Sequence, residues 1–155
     1  MPQLNKGGKY VFGLSKIYDD LTIQIPEQAI AEYKATDGGF VILFTGSKIT
    51  GGFCITSKRL LENSKLKHLL VECSEIASCT IPPCKFIRYK GRGYCWVPIS
   101  STGIIQLTQN AMEYLDLSIG NQLLCIRSSN IAFTMGARGP LLEKAYLYKG
   151  SIEHY

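Results

Sequence analysis

The sequence predicts a mainly β protein with short helices, assembled from two tandem copies of one unit. Two observations lead there. Residues from about 10 to 55 recur without gaps 82 positions later, and fixed self-similarity of this kind is the signature of a repeated structural unit. Within each copy, short runs of β-branched and apolar residues alternate with glycine-bearing turns, the pattern of strands and hairpins.

At the constant shift of 82, Ile23, Gln24, Ala29, Gly38, Ser47 and Ile49 meet Ile105, Gln106, Ala111, Gly120, Ser129 and Ile131. Upstream, Ile17 meets Ile99 and Leu14 meets Trp96. Other partners keep their character without identity: Ile25 with Leu107, Val41 with Leu123, Ile42 with Leu124, Phe44 with Ile126.

Each copy is expected to run strand, short helix, turn, hairpin. Thr22, Ile23, Gln24 and Ile25 alternate as a short strand should. Pro26 sits where a first helical residue tolerates a missing N–H, and Glu27 suits the positive helix end. Ala29, Ile30 and Tyr33 then make one apolar stripe, which predicts a helix over 26–34. In the second copy Thr108 is positioned to cap a helix whose inward face is Ala111, Met112 and Leu115. Both helices end before glycine-containing turns, Gly38-Gly39 and Gly120-Asn121. Two apolar runs follow, over 40–44 and 122–126. Polar tips come next, Gly46-Ser47-Lys48 and Ser128-Ser129-Asn130, each leading into a last strand.

Two segments extend the repeat. Ser57 is placed to cap a helix over KRLLENSKLKHLL, and Pro140 opens a helix over LLEKAYLY. The organisation expected is a first repeat with its appended helix over 9–71, an extended linker with Pro82-Pro83 over 72–86, and a second repeat with its helix over 87–150. One unit has too few strands to bury its apolar faces, because a lone hairpin is marginal in water. Two units packed together can bury these faces and cover exposed edges.

The order of strand, Ile25-Pro26, short helix, glycine turn and hairpin resembles the AbrB/MazE/SpoVT class of swapped-hairpin transcription factors. The segment IQLTQNAMEYLDLSIGNQLLCIRSSNIAF matches best, with Ser118-Ile119-Gly120-Asn121 standing at the family's lysine-proline-glycine-aspartate turn. Two copies in one chain resemble the MraZ arrangement. The likeness covers roughly 9–56 and 91–136 and implies a pseudo-symmetric swapped-hairpin β-barrel and a DNA-binding transcriptional regulator. Members usually carry a basic residue just before the strand that leads to the helix. Here those places hold Asp20-Leu21-Thr22 and Thr102-Gly103-Ile104, with Asp19 adding a second acidic charge. The alternative is a protein-interaction or ligand-sensing module that keeps the fold without binding DNA.

Charge favours the second half. The chain carries net +5; residues 1–84 hold nine Lys/Arg against eight Asp/Glu, and residues 85–155 hold eight against four. A positive excess attracts phosphate through counterion release. Arg88, Lys90 and Arg92 alternate, so a single strand there would put all three on one face. Such a face tracks a phosphate backbone, or equally protects a solvated edge strand with charge. Lys48 at the first hairpin tip, Arg127 beside the second and Arg138 after it complete the candidate DNA contacts, each of them also readable as a solvated surface charge.

Other chemistries find little support. Cys73, Cys79 and Cys84 lack the close pairing of structural zinc sites, so no metal is expected. Cys54, Cys95 and Cys125 fall in expected strands, where a thiol behaves as a small apolar group. The two histidines, His68 and His154, have no catalytic companion in the sequence, and Glu27, Asp116 and Glu143 have no visible partner. Gly136-Ala137-Arg138-Gly139 is placed to cup an anion with backbone N–H groups before the helix at Pro140, and more simply turns the chain. No enzyme and no cofactor is expected. No apolar stretch is long enough for a membrane span and the N-terminus lacks an apolar leader, so the expectation is a cytoplasmic protein. The appended helices leave a homodimer or higher homo-oligomer open.

Overall fold

The structure, a computed structural model, describes residues 10–155; the polar segment 1–9, including the expected start of the first repeat, lies outside the described residues. The described chain is mainly β. In order it forms β1 (Val11–Lys16), β2 (Thr22–Gln24), α1 (Glu27–Tyr33), β3 (Phe40–Thr45), β4 (Phe53–Thr56) and α2 (Lys58–Glu62). There follow α3 (His68–Glu72), α4 (Ser74–Ala77), β5 (Ile87–Tyr89), β6 (Arg92–Pro98) and β7 (Ile104–Gln106). The chain ends with α5 (Gln109–Tyr114), β8 (Gln122–Arg127), β9 (Phe133–Gly136) and α6 (Pro140–Leu147).

Seven strands form one antiparallel sheet in the order β1-β8-β9-β4-β3-β6-β5, and β2 pairs with β7 in a separate ribbon. Early strands are joined to late ones throughout: β1 to β8, β2 to β7, β3 to β6 and β4 to β9. Phe40 faces Pro98 and Val41 faces Val97, while 82 positions away Gln122 faces Lys16 and Leu123 faces Ser15. The ribbon centres on Ile23 opposite Ile105. Backbone conformation recurs too: Leu21 and Gly103, Lys34 and Asp116, Gly38 and Gly120 all adopt positive φ, each pair 82 apart.

The strands β3 and β8 are buried on both faces, which explains their unbroken apolar runs. One face meets the ribbon and helices α1 and α5, burying Val41, Leu43, Phe53, Leu123 and Phe133 with Ile23 and Ile105. The other face carries two smaller clusters. Ile42, Phe44 and Tyr94 pack beneath Leu61, Leu69 and Ile76 of α2–α4. Val11, Leu14, Leu124 and Ile126 pack beneath Leu142 and Ala145 of α6. The C-terminal residues lie along β1, with the Leu14 N–H donating to the Glu153 carbonyl and the Tyr155 N–H to the Leu14 carbonyl, both at 2.8 Å.

Four expectations require correction. The shift of 82 does not persist to residue 55: β4 and β9 start at Phe53 and Phe133, 80 apart, because tip 128–132 is shorter than tip 46–52. The helix expected after Ser57 is two helices. Ser57 does cap the first, accepting from the Leu60 N–H at 3.2 Å. Asn63 and Ser64 then turn their side chains back onto the carbonyls of Arg59 and Leu61, ending it. The linker 72–86 is not extended throughout, since it includes α4, whose Ile76 is buried in the outer cluster beside Cys73. Arg88, Lys90 and Arg92 do not share one strand, because the chain reverses between β5 and β6 at Lys90-Gly91, with φ of 48° and 84°.

Candidate nucleic-acid interface

The ribbon is where the family resemblance would put DNA. Its two entry loops are tied crosswise: the Gln24 amide donates to the Thr102 carbonyl and the Gln106 amide to the Asp20 carbonyl, each at 2.8 Å. These glutamines are 82 apart, as are the carbonyls they hold. Asp20 accepts from the Thr22 hydroxyl at 2.6 Å and from its N–H at 3.2 Å. That hydrogen bonding holds the Asp20 carboxyl below its ordinary range, so it stays anionic. Asp19 and Asp20 are exposed, and residues 17–25 and 99–108 contain no Lys or Arg. The nearest cation along the chain is Lys16 at the end of β1, its ammonium 5.6 Å from the Tyr18 ring centre. Lys16 escapes a sequence search confined to the positions immediately before the strand.

The second region is one end of the large sheet. Strand β3 finishes there at Thr45, whose hydroxyl accepts from the Gly93 N–H at 3.3 Å. Arg92 therefore lies beside the end of β3, with Lys90 in the adjoining turn. Arg88 faces Gly93 in the same hairpin. Strand pleating directs Arg88 to the opposite face from Arg92, which shares its face with Tyr89 and Tyr94. The tip containing Lys48 belongs to the same sheet end. Arg138 joins it there, donating from Nε at 3.2 Å and Nη2 at 2.9 Å to the Lys48 carbonyl. Five of the six candidate cations thus gather at one end, carried by five adjacent strands. At a strand spacing of about 4.8 Å the row from Arg138 to Arg88 spans roughly 19 Å along the sheet.

Arg127 lies at the other end, and it is engaged. Its guanidinium pairs with both carboxylate oxygens of Glu32, Nε donating at 2.8 Å, and it sits 4.8 Å from the Tyr10 ring centre. This pairing raises the Arg127 pKa further and neutralises its charge locally. Beside it, the Tyr33 hydroxyl donates to the Ser129 carbonyl at 2.6 Å, and burial is the main cause that pushes this phenol up to about 12.

Two carboxylates moderate the basic end. Asp116 approaches Arg138 at 3.8 Å, with both side chains well exposed, so the attraction is weak. Glu72 accepts from the Tyr89 hydroxyl. Among the described residues Lys48, Arg88, Lys90 and Arg92 form no ion pair. No group of three or more His, Cys, Asp or Glu side chains is placed to hold a metal ion among the described residues. No helix among them is long and apolar enough to cross a membrane.

The cysteines act through packing. All six are free, and burial raises the Cys54, Cys95 and Cys125 thiols, Cys125 being fully enclosed. Thiols of the unfolded chain ionise near pH 8.5, while the buried ones hold their protons to higher pH. Stability from this source is complete below about pH 8.5 and falls as pH rises towards the folded values. Thermal unfolding in reducing buffer should show a lower midpoint at pH 10 than at pH 7, and Cys125→Ala should shrink that difference. An unchanged difference would show that the thiol at Cys125 does not drive the alkaline loss.

Comparison with protein-family models and with curated proteins gives no match for this chain.

Proposed function

We propose that the chain is a DNA-binding transcriptional regulator of the AbrB/SpoVT type, with two tandem swapped-hairpin units closing one barrel. The registers that recur at 82 residues and the crosswise glutamine bonds support two equivalent units joined about the ribbon. The observation that carries the DNA reading is the row of Lys48, Arg88, Lys90, Arg92 and Arg138 at one sheet end. DNA contact by this reading avoids the ribbon, where Asp19 and Asp20 repel phosphate, and Arg127 takes no part because Glu32 occupies it.

The test is fluorescence anisotropy with a pool of labelled genomic duplexes. Neutralising about four phosphates implies that affinity falls roughly a hundredfold between about 50 and 200 mM salt. Absence of binding at micromolar protein and low salt would overturn the proposal.

A second reading, an interaction or ligand-sensing module without DNA binding, is favoured by the acidic ribbon. Under it, charge reversal at Arg88 and Lys90 leaves function intact.

A further inference from the structure

A groove of about 420 Å³ crosses the outer face of the sheet between the two helical layers. Its floor is formed by Phe44, Cys54, Thr134 and Ile126 from four neighbouring strands, β3, β4, β9 and β8. Leu66, from the loop between α2 and α3, stands on one side and Leu141 of α6 on the other. The volume lies within the range of small-molecule sites, which combine apolar walls with a few placed polar groups. Several hydroxyls here are already engaged: Ser47 with Thr50 at 3.0 Å, and Thr134 with the Cys54 thiol at 3.4 Å.

Arg92 differs from them. Among the described residues it is the one charged side chain lining the groove, and its guanidinium lies 5.5 Å from the Phe44 ring centre. Among those residues, too, no carboxylate pairs with it and no carbonyl accepts from its side chain. A planar fork of donors over an aromatic floor matches a carboxylate in two parallel hydrogen bonds. A single cation over an apolar surface suits a monoanion; a phosphate dianion would retain an uncompensated charge against Phe44 and Ile126.

We infer that this groove binds a small apolar monocarboxylate, its carboxylate on Arg92 and its apolar body on the floor across Cys54 and Thr134. The site stands whether or not the chain binds DNA, since it is read on the protein alone. Where the basic row does hold DNA, the same ligand withdraws one of its cations.

The probe is 3-phenylpropanoate, with 3-phenylpropanamide as its neutral counterpart, each titrated into the full chain and followed by backbone amide NMR. The acid should shift the amides of Cys54, Ala132 and Thr134 and bind at least about tenfold more tightly than the amide. Arg92→Gln should abolish that preference, and Arg92→Lys should retain part of it, the spectra themselves reporting that each variant is folded. Three results would each overturn the inference: equal binding of acid and amide, shifts confined to another surface, or no shifts at roughly 10 mM acid.

Discussion

Gly52→Ala should destabilise the protein by roughly 3 kcal/mol or more, one of the largest effects of any single substitution. Gly52 enters β4 at a φ of 63°, a left-handed conformation that costs an alanine about 1–2 kcal/mol. The added Cβ would press into the carbonyl oxygen of Met135, which is backbone and cannot swing aside. Relief requires β4 and β9 to separate where Phe53 faces Met135, at the centre of the sheet. Thermal unfolding is the measurement, and a midpoint lowered by roughly 10 °C is expected for a domain of this size. A loss of only a degree or two would mean that the hairpin tip accommodates the methyl group.

Phe133→Ala is the second. Phe133 is 1% exposed and lies 5.0 Å from the Tyr33 ring and 6.4 Å from Phe12, centre to centre. These three rings join α1 and β1 from the first half to β9 from the second. Truncation removes the apolar surface and leaves a cavity, at a cost of about 3–5 kcal/mol. The loss should appear in urea unfolding as a lower midpoint with an unchanged slope. A cost below about 1 kcal/mol would show that the core collapses around the smaller side chain.

Local chemistry is legible in the sequence where one residue decides one bond. Ser57 and Thr108 accept from the N–H groups three residues on, at 3.2 and 3.1 Å, as helix caps should. The alternation around Ile23 marks a strand only three residues long, because its copy at Ile105 repeats it. The turn at Lys90-Gly91 escapes the pattern because lysine at positive φ is not a turn signature; the glycine after it is the only cue. The break within the helix after Ser57 is hidden by leucines that continue an apolar pattern across Asn63 and Ser64.

The candidate interface is legible only in part. Basic residues can be counted in a sequence, but their company cannot. Arg127 meets Glu32 across 95 positions, and no local pattern announces that pairing. Arg138 reaches the Lys48 carbonyl across 90 positions, which gathers two cations that the sequence holds far apart. The acidic ribbon, by contrast, is visible at once in Asp19-Asp20, since both residues lie in a loop that solvent reaches.

DNA on the sheet end and not on the ribbon is the central proposal. The most direct measurement compares the salt dependence of duplex affinity for the wild-type chain, for the triple variant Lys48→Ala, Lys90→Ala, Arg92→Ala, and for the double variant Asp19→Asn, Asp20→Asn in the loop that enters the ribbon. Each phosphate left without its cation should reduce the slope of log affinity against log salt by about 0.9. The expected result is a slope shallower by about two to three in the triple variant, and an affinity within about twofold of wild type in the double variant. An unchanged slope in the triple variant, or a gain of roughly tenfold or more in the double variant, would contradict the proposal.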